Sequence, residues 1–123
     1  MKPQHLFAAL TLCWLFSAAA LANTPGKHTV SLSWVAPVSG CTGACTYNLY
    51  RSTSANACAG TPTPLVTGIA STSYTDSTVT LGQTYFYDVT AVGTGGESTC
   101  SNEVQVPVPS PAGAPTSLQG TVN

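Results

Sequence analysis

Five cysteines, two histidines and four carboxylates are the side chains through which this 123-residue chain could do chemistry. Cys13 lies in the stretch 1–22, MKPQHLFAALTLCWLFSAAALA, which has a basic start at Lys2, an apolar run from Leu6 to Leu21 and a small-x-small end at Ala20-Leu21-Ala22. That pattern reads as a cleaved export signal rather than a membrane anchor. Leu12 precedes Cys13 where a lipidation site needs Gly or Ala, so Cys13 is expected to leave with the leader. Cys41, Cys45, Cys58 and Cys100 remain, and an even set in a small exported domain reads as two disulfides. A zinc site is disfavoured, because the spacings lack paired C-x2-C knuckles and the compartment is oxidising.

Catalysis needs paired acid–base groups, an activated nucleophile or a metal. His28, the histidine left after leader removal, stands beside Lys27 without a partner and reads as a solvated residue at the mouth of a strand. Asp76 and Asp88 have no carboxylate near them in sequence, which leaves the two-carboxylate arrangement of glycosidases unsupported. Asp76 is expected to accept backbone N–H groups in a turn. Gly93-Thr94-Gly95-Gly96 lacks the Lys-Ser/Thr successor of a phosphate cradle and reads as a hairpin loop. The expected counts of catalytic, cofactor-binding and metal-binding residues are therefore none.

These groups need a scaffold, and the composition narrows the choice. Charged residues are only 6% of the chain, and the formal charge is −1. After leader removal, Lys27 and Arg51 face Asp76, Asp88, Glu97 and Glu103, a net of 2 − 4 = −2. No basic patch exists for nucleic acid or for a membrane surface. Ser and Thr carry the solvation instead, as suits a secreted all-β module (extracellular or periplasmic).

Period-two alternation supplies the strands. Val30, Leu32 and Trp34 share one face; so do Tyr47 and Leu49; so do Tyr85, Tyr87, Val89 and Ala91; and Val104, Val106 and Val108 alternate with polar residues or prolines. Breakers at Pro37–Gly40, Leu81-Gly82 and Thr94–Gly96 separate these runs. No apolar stripe of helical period exists outside the leader. An antiparallel sandwich is the expected architecture.

Several motifs, in order, resemble the fibronectin type III family: Ser31-Leu32-Ser33-Trp34, Tyr47-Asn48-Leu49-Tyr50-Arg51-Ser52, Thr72-Ser73-Tyr74-Thr75-Asp76, Leu81-Gly82-Gln83-Thr84-Tyr85 and Ser101-Asn102-Glu103-Val104. The resemblance covers about residues 27–109. It implies a seven-stranded antiparallel immunoglobulin-like sandwich with sheets A-B-E and C′-C-F-G. The implied core signature is Trp34, Tyr47, Leu49, Tyr74, Leu81, Tyr85, Tyr87 and Val89, with Tyr85 and Leu81 forming a tyrosine corner. Family members are spacers and binding modules without an active site or cofactor. The domain organisation expected is 1–22 signal peptide, 23–109 fibronectin type III-like domain, and 110–123 a Pro-rich linker with the start of a following strand.

Two features depart from the family pattern. Strand A has only Asn23 to Thr29 in which to form. The stretch Ala112–Gln119, containing Pro115-Thr116-Ser117-Leu118, looks like a strand-A lead-in at the opposite end of the chain. It reads either as the beginning of a further domain or as a segment that fills the vacant A edge of its own or a neighbouring molecule. On the face opposite the core, Tyr50 and Phe86 form the candidate binding face for an unidentified protein or glycan. Cross-strand pairing is the plainer role for such outward aromatics.

In this topology Cys41 and Cys45 share an end with Cys100. A bridge spans only about 4.4–6.8 Å between Cα atoms, so any pairing of Cys58 requires the Ser52–Pro64 stretch to fold back along the sheet. Local closure leans to Cys41–Cys45 with Cys58–Cys100. Joining Cys100 to Cys41 or Cys45, with Cys58 taking the other, stays open. Function is expected to be that of a secreted spacer or adhesion-type binding module; the alternative is a truncated accessory part of a larger secreted hydrolase or surface protein.

Overall fold

A computed structural model of the chain describes residues 27–41 and 43–122; the leader expected over 1–22 lies outside the described residues. Seven strands follow in order, β1 (Val30–Ser33), β2 (Thr46–Ser52), β3 (Val66–Ile69), β4 (Ser73–Asp76), β5 (Thr84–Gly93), β6 (Gly96–Glu97) and β7 (Val104–Pro107). They form an antiparallel all-β sandwich of two sheets, β1-β4 and β3-β2-β5, with β6 and β7 both pairing β5. Alternation explains the packing: Val30, Leu49, Tyr85, Tyr87 and Val108 close the core, with Leu32, Tyr74, Leu81 and Val89 packed against it.

β2 and β5 are the backbone of the larger sheet, registered from Thr46↔Val92 to Ser52↔Phe86. β3 joins them through a bulge between its Tyr47 and Leu49 partners. Gly68 in that strand takes φ +70°, a conformation a side chain resists. This interruption hides β3 from a search for alternation. The hairpin between β5 and β6 turns on Thr94 and Gly95, from Gly93 to Gly96. A Cβ at Gly93 would collide with the Gly40 carbonyl, so the hairpin packs directly against the loop that follows β1.

The last edge strand is broken. Between β6 and β7 the backbone leaves the ladder, and two serines replace its carbonyls. Ser98 Oγ accepts the Ala91 N–H and Ser101 Oγ accepts the Val89 N–H, while the Ser98 and Ser101 amides donate to the carbonyls of the same two residues. Every β5 amide involved thus finds a partner without a continuous strand.

The smaller sheet differs from the expected A-B-E arrangement. Among the described residues it has two strands, and no strand pairs the outer edge of β1. The backbone of 108 remains bonded, its N–H to the Gln83 carbonyl and its carbonyl to the Gly82 N–H. From Pro109 to Val122 the chain has no regular structure and is exposed throughout. The tail therefore does not fill the β1 edge of its own molecule in this structure.

Candidate functional site

At one end of the sandwich, the inward parity of β2 continues from Tyr47 and Leu49 to Arg51. Arg51 Nη1 donates to Asp76 Oδ2 at 2.6 Å and to Thr78 Oγ1 at 2.8 Å, tying the larger sheet to β4 in the smaller one. Asp76 is 1% exposed. Its carboxylate also accepts the Thr78 N–H, the Thr78 hydroxyl and the Tyr87 hydroxyl, at 2.8, 2.7 and 2.9 Å. Burial pushes the Asp76 carboxyl up, but the bonds from Thr78, Arg51 and Tyr87 outweigh it and hold the group below the usual carboxylate range. Burial and the neighbouring carboxylate together raise the Tyr87 phenol. Burial opposes the Arg51 charge, yet the Asp76 bond keeps it raised.

Beside this knot Tyr85 makes the expected corner: the Thr80 N–H donates to its hydroxyl at 3.0 Å, and that bond lowers the phenol. The Arg51 guanidinium stands 4.9 Å over the Tyr85 ring. Asp76 does accept a turn amide, as the sequence leads one to expect. The signal for its Arg51 partner was the parity 47, 49, 51, hidden because arginine ordinarily reads as solvent-facing.

The outer face is organised by Glu97. Its Oε1 accepts from Asn48 Nδ2 at 2.9 Å, from the Tyr50 hydroxyl at 2.7 Å and from the Thr90 hydroxyl. The Thr90, Tyr50 and Asn48 bonds lower the Glu97 carboxyl, and the Glu97 bond raises the Tyr50 phenol. This corrects one expectation. Tyr50 lies on the outer parity but is only 7% exposed, so it is a cross-strand strut and not an open stacking platform. Phe86, also on that parity, is half-buried.

Farther along the same face the stretch after β2 folds back. The turn Asn56–Ala59 is closed by an Ala59 N–H bond to the Asn56 carbonyl. The Cys58 N–H donates to Asp88 Oδ2 at 3.1 Å and the Ala57 N–H to Glu103 Oε2 at 2.9 Å. Cys58 is bridged to Cys100 and Cys41 to Cys45, with Cα separations of 6.3 and 5.4 Å. Asp88 is 5% exposed. Burial raises its carboxyl, the Glu103 charge raises it further, and the Cys58 amide offsets only part. The absence of a carboxylate partner for Asp88 in the sequence is thus corrected: the return of the chain into β7 brings Glu103 alongside. The pair seats a turn, each acid holding one of its amides.

A groove of about 400 Å³ lies between the β1 edge that no described strand pairs and the segment leading into β7. Leu32, Leu49, Tyr87, Val89 and Val104 line it, with Trp34 among them and Ser33, Asp88, Ser101 and Asn102 as its polar residues. Trp34 follows the end of β1, donates its backbone N–H to the Thr72 carbonyl at 3.0 Å and meets the Tyr47 ring edge-on at 5.3 Å. The resemblance implied a core tryptophan; the indole is instead half-buried, because nothing among the described residues covers this side of the sandwich. Its Nε1–H is buried without an acceptor. Among the described residues, no group of three or more His, Cys, Asp or Glu side chains could hold a metal ion.

Two sheets, a tyrosine corner and a β1-β4 / β3-β2-β5 order define a fibronectin type III sandwich. A Fn3-like protein from Clostridium thermocellum is similar to the chain at 37% identity, over 71% of this chain and 83% of that one, with a TM-score of 0.55. The chain belongs to the fibronectin type III family. Two human domains share the fold: a fourth FNIII domain at 19% identity, over 74% of each chain, TM-score 0.57, and the domain of fibronectin type III domain containing protein 3 at 20%, over 77% of this chain and 85% of that one, TM-score 0.57. No family profile and no curated protein matches the chain.

Proposed function

We propose that the protein is an exported, non-catalytic module that acts as a spacer or as a protein- or carbohydrate-binding domain. The groove beside β1 carries this reading. Asp76, Glu97, Asp88 and Glu103 each accept hydrogen bonds from their own fold, whereas the groove presents a largely apolar lining of Leu32, Leu49, Tyr87, Val89 and Val104 with Trp34 among them. Apolar walls with few polar groups are the usual make-up of a recognition site. Two disulfides suit an oxidising compartment. Family membership supports the absence of catalysis, since the fold carries modules of this kind.

The test is a glycan and protein array probed with the exported protein and with Trp34→Ala. A ligand retained by the wild type and lost by the variant supports the groove as the site. Equal binding by both, at a surface elsewhere, defeats it. The exposed run from Pro109 to Pro115 favours a second reading, in which the module is joined to other domains of a secreted hydrolase or surface protein. The coding sequence downstream decides that one.

A further inference from the structure

We propose that the groove beside β1 receives a β-strand, and that the strand is the segment Leu118–Val122 of a second copy of this chain. This rests on the groove being the recognition site. Among the described residues β1 pairs β4 along one edge only, and its other edge borders the groove. Backbone groups along an unpaired edge are a template for one more strand. Leu32 and Trp34 lie along that edge and line the groove, giving an added strand an apolar floor.

The tail has the matching pattern. Leu118 and Val122 are 98% and 102% exposed, and in extended backbone they share a face with Gly120 between them. Gln119 and Thr121 fall on the other face, toward water. Five residues match Val30–Trp34 in length. The segment is uncharged, as an apolar groove requires.

Reach selects a second copy. The residue 108 backbone is held at Gly82 and Gln83, and nine residues separate it from Leu118. Pro109, Pro111 and Pro115 stiffen that run, which spans roughly 28 Å when extended at the polyproline rise. β1 is four residues long, about 13 Å. To lay Leu118 on its own β1 the run must double back through its prolines. Each molecule offers one tail and one groove, so the contact closes as a reciprocal dimer or grows head to tail.

The exported protein is examined by sedimentation velocity across a wide concentration range, with Leu118→Asp/Val122→Asp as comparison. The wild type is expected to gain mass with concentration; the variant, altered only at exposed positions, stays monomeric with an unchanged Tm. A photo-crosslinker at position 118, in a mixture of light and heavy isotope-labelled protein, is expected to give mixed-isotope links to groove peptides. Wild type that is monomeric throughout, links of one isotope only, or links outside the groove overturn the proposal. Finally, a synthetic peptide of residues 115–123 is titrated into the double variant. A saturating blue shift of Trp34 emission is expected, weakened at least tenfold for a Leu118→Asp peptide. No shift overturns the strand proposal. If an array ligand still shifts Trp34, the groove remains a binding site and the tail alone is excluded from it.

Discussion

Asp76 and Asp88 are both buried carboxylates in a protein with few charges, yet folding moves them in opposite directions. Asp76 meets a guanidinium, two hydroxyls and an amide, which more than offset its desolvation. Asp88 meets one amide and a second carboxylate, which do not. Burial is nearly equal at the two sites. The charge and donor count of the neighbours decide which acid stays ionised. The first region locks two sheets together; the second is a turn held over one reluctant acid, Asp88, and pinned by a disulfide.

Asp76→Asn breaks the contrast most severely. It leaves Arg51 without its counter-charge between the sheets, and a loss of about 3 kcal/mol is expected by urea denaturation near neutral pH, the lower end for a broken buried pair because Arg51 keeps some solvent. The folded Asp76 value is depressed, so its contribution is present above the ordinary carboxylate range. It is lost as pH falls through the depressed value, and wild type and variant should converge there. A constant gap across pH would place the effect in packing instead.

Replacing Cys58 and Cys100 together with serine should cost about 2–4 kcal/mol, since the bridge closes a long loop. It also sharpens the comparison. Freed of its pin, the turn exposes Asp88, whose carboxyl then moves back toward the ordinary range in an NMR titration while Asp76 stays put. Tyr87→Phe removes one donor to a charged acceptor and should cost about 1.5 kcal/mol, with the Asp76 carboxyl rising toward its ordinary value. Asp88→Asn is the smallest and has the opposite sign. The folded Asp88 value is raised, so the ionised group opposes folding as pH rises through it. The amide still accepts from Cys58 and relieves Glu103, giving a gain below about 1 kcal/mol near neutral pH that vanishes in acid.

The strands that carry clean alternation, β1, β2 and β5, were legible because a face buried against a core leaves a period-two record. The tyrosine corner was legible from the Leu81-to-Tyr85 spacing. β3 was not, because Gly68 and its bulge break the period. The Arg51–Asp76 tie was hidden by the habit of reading arginine as outward, although its parity with Tyr47 and Leu49 was in view. Glu103 beside Asp88 and Glu97 over Tyr50 depend on how an antiparallel chain returns, which no local window contains. The two disulfides join the pair that local closure favoured, and the fold-back of Cys58 that they demand is supplied by the Asn56–Ala59 turn.

The serines that interrupt the last strand bear on solubility. A sheet edge is an aggregation hazard, and most proteins guard it with lysine or another inward-pointing charge. A chain with 6% charged residues has little of that defence to deploy. Here Ser98 and Ser101 hydroxyls consume the β5 amides while the main chain swings off the ladder, so a stray strand arriving at this side finds no uninterrupted row on which to polymerise. Gatekeeping by geometry stands in for gatekeeping by charge, and the row that a growing fibril needs is interrupted at this border of the sandwich.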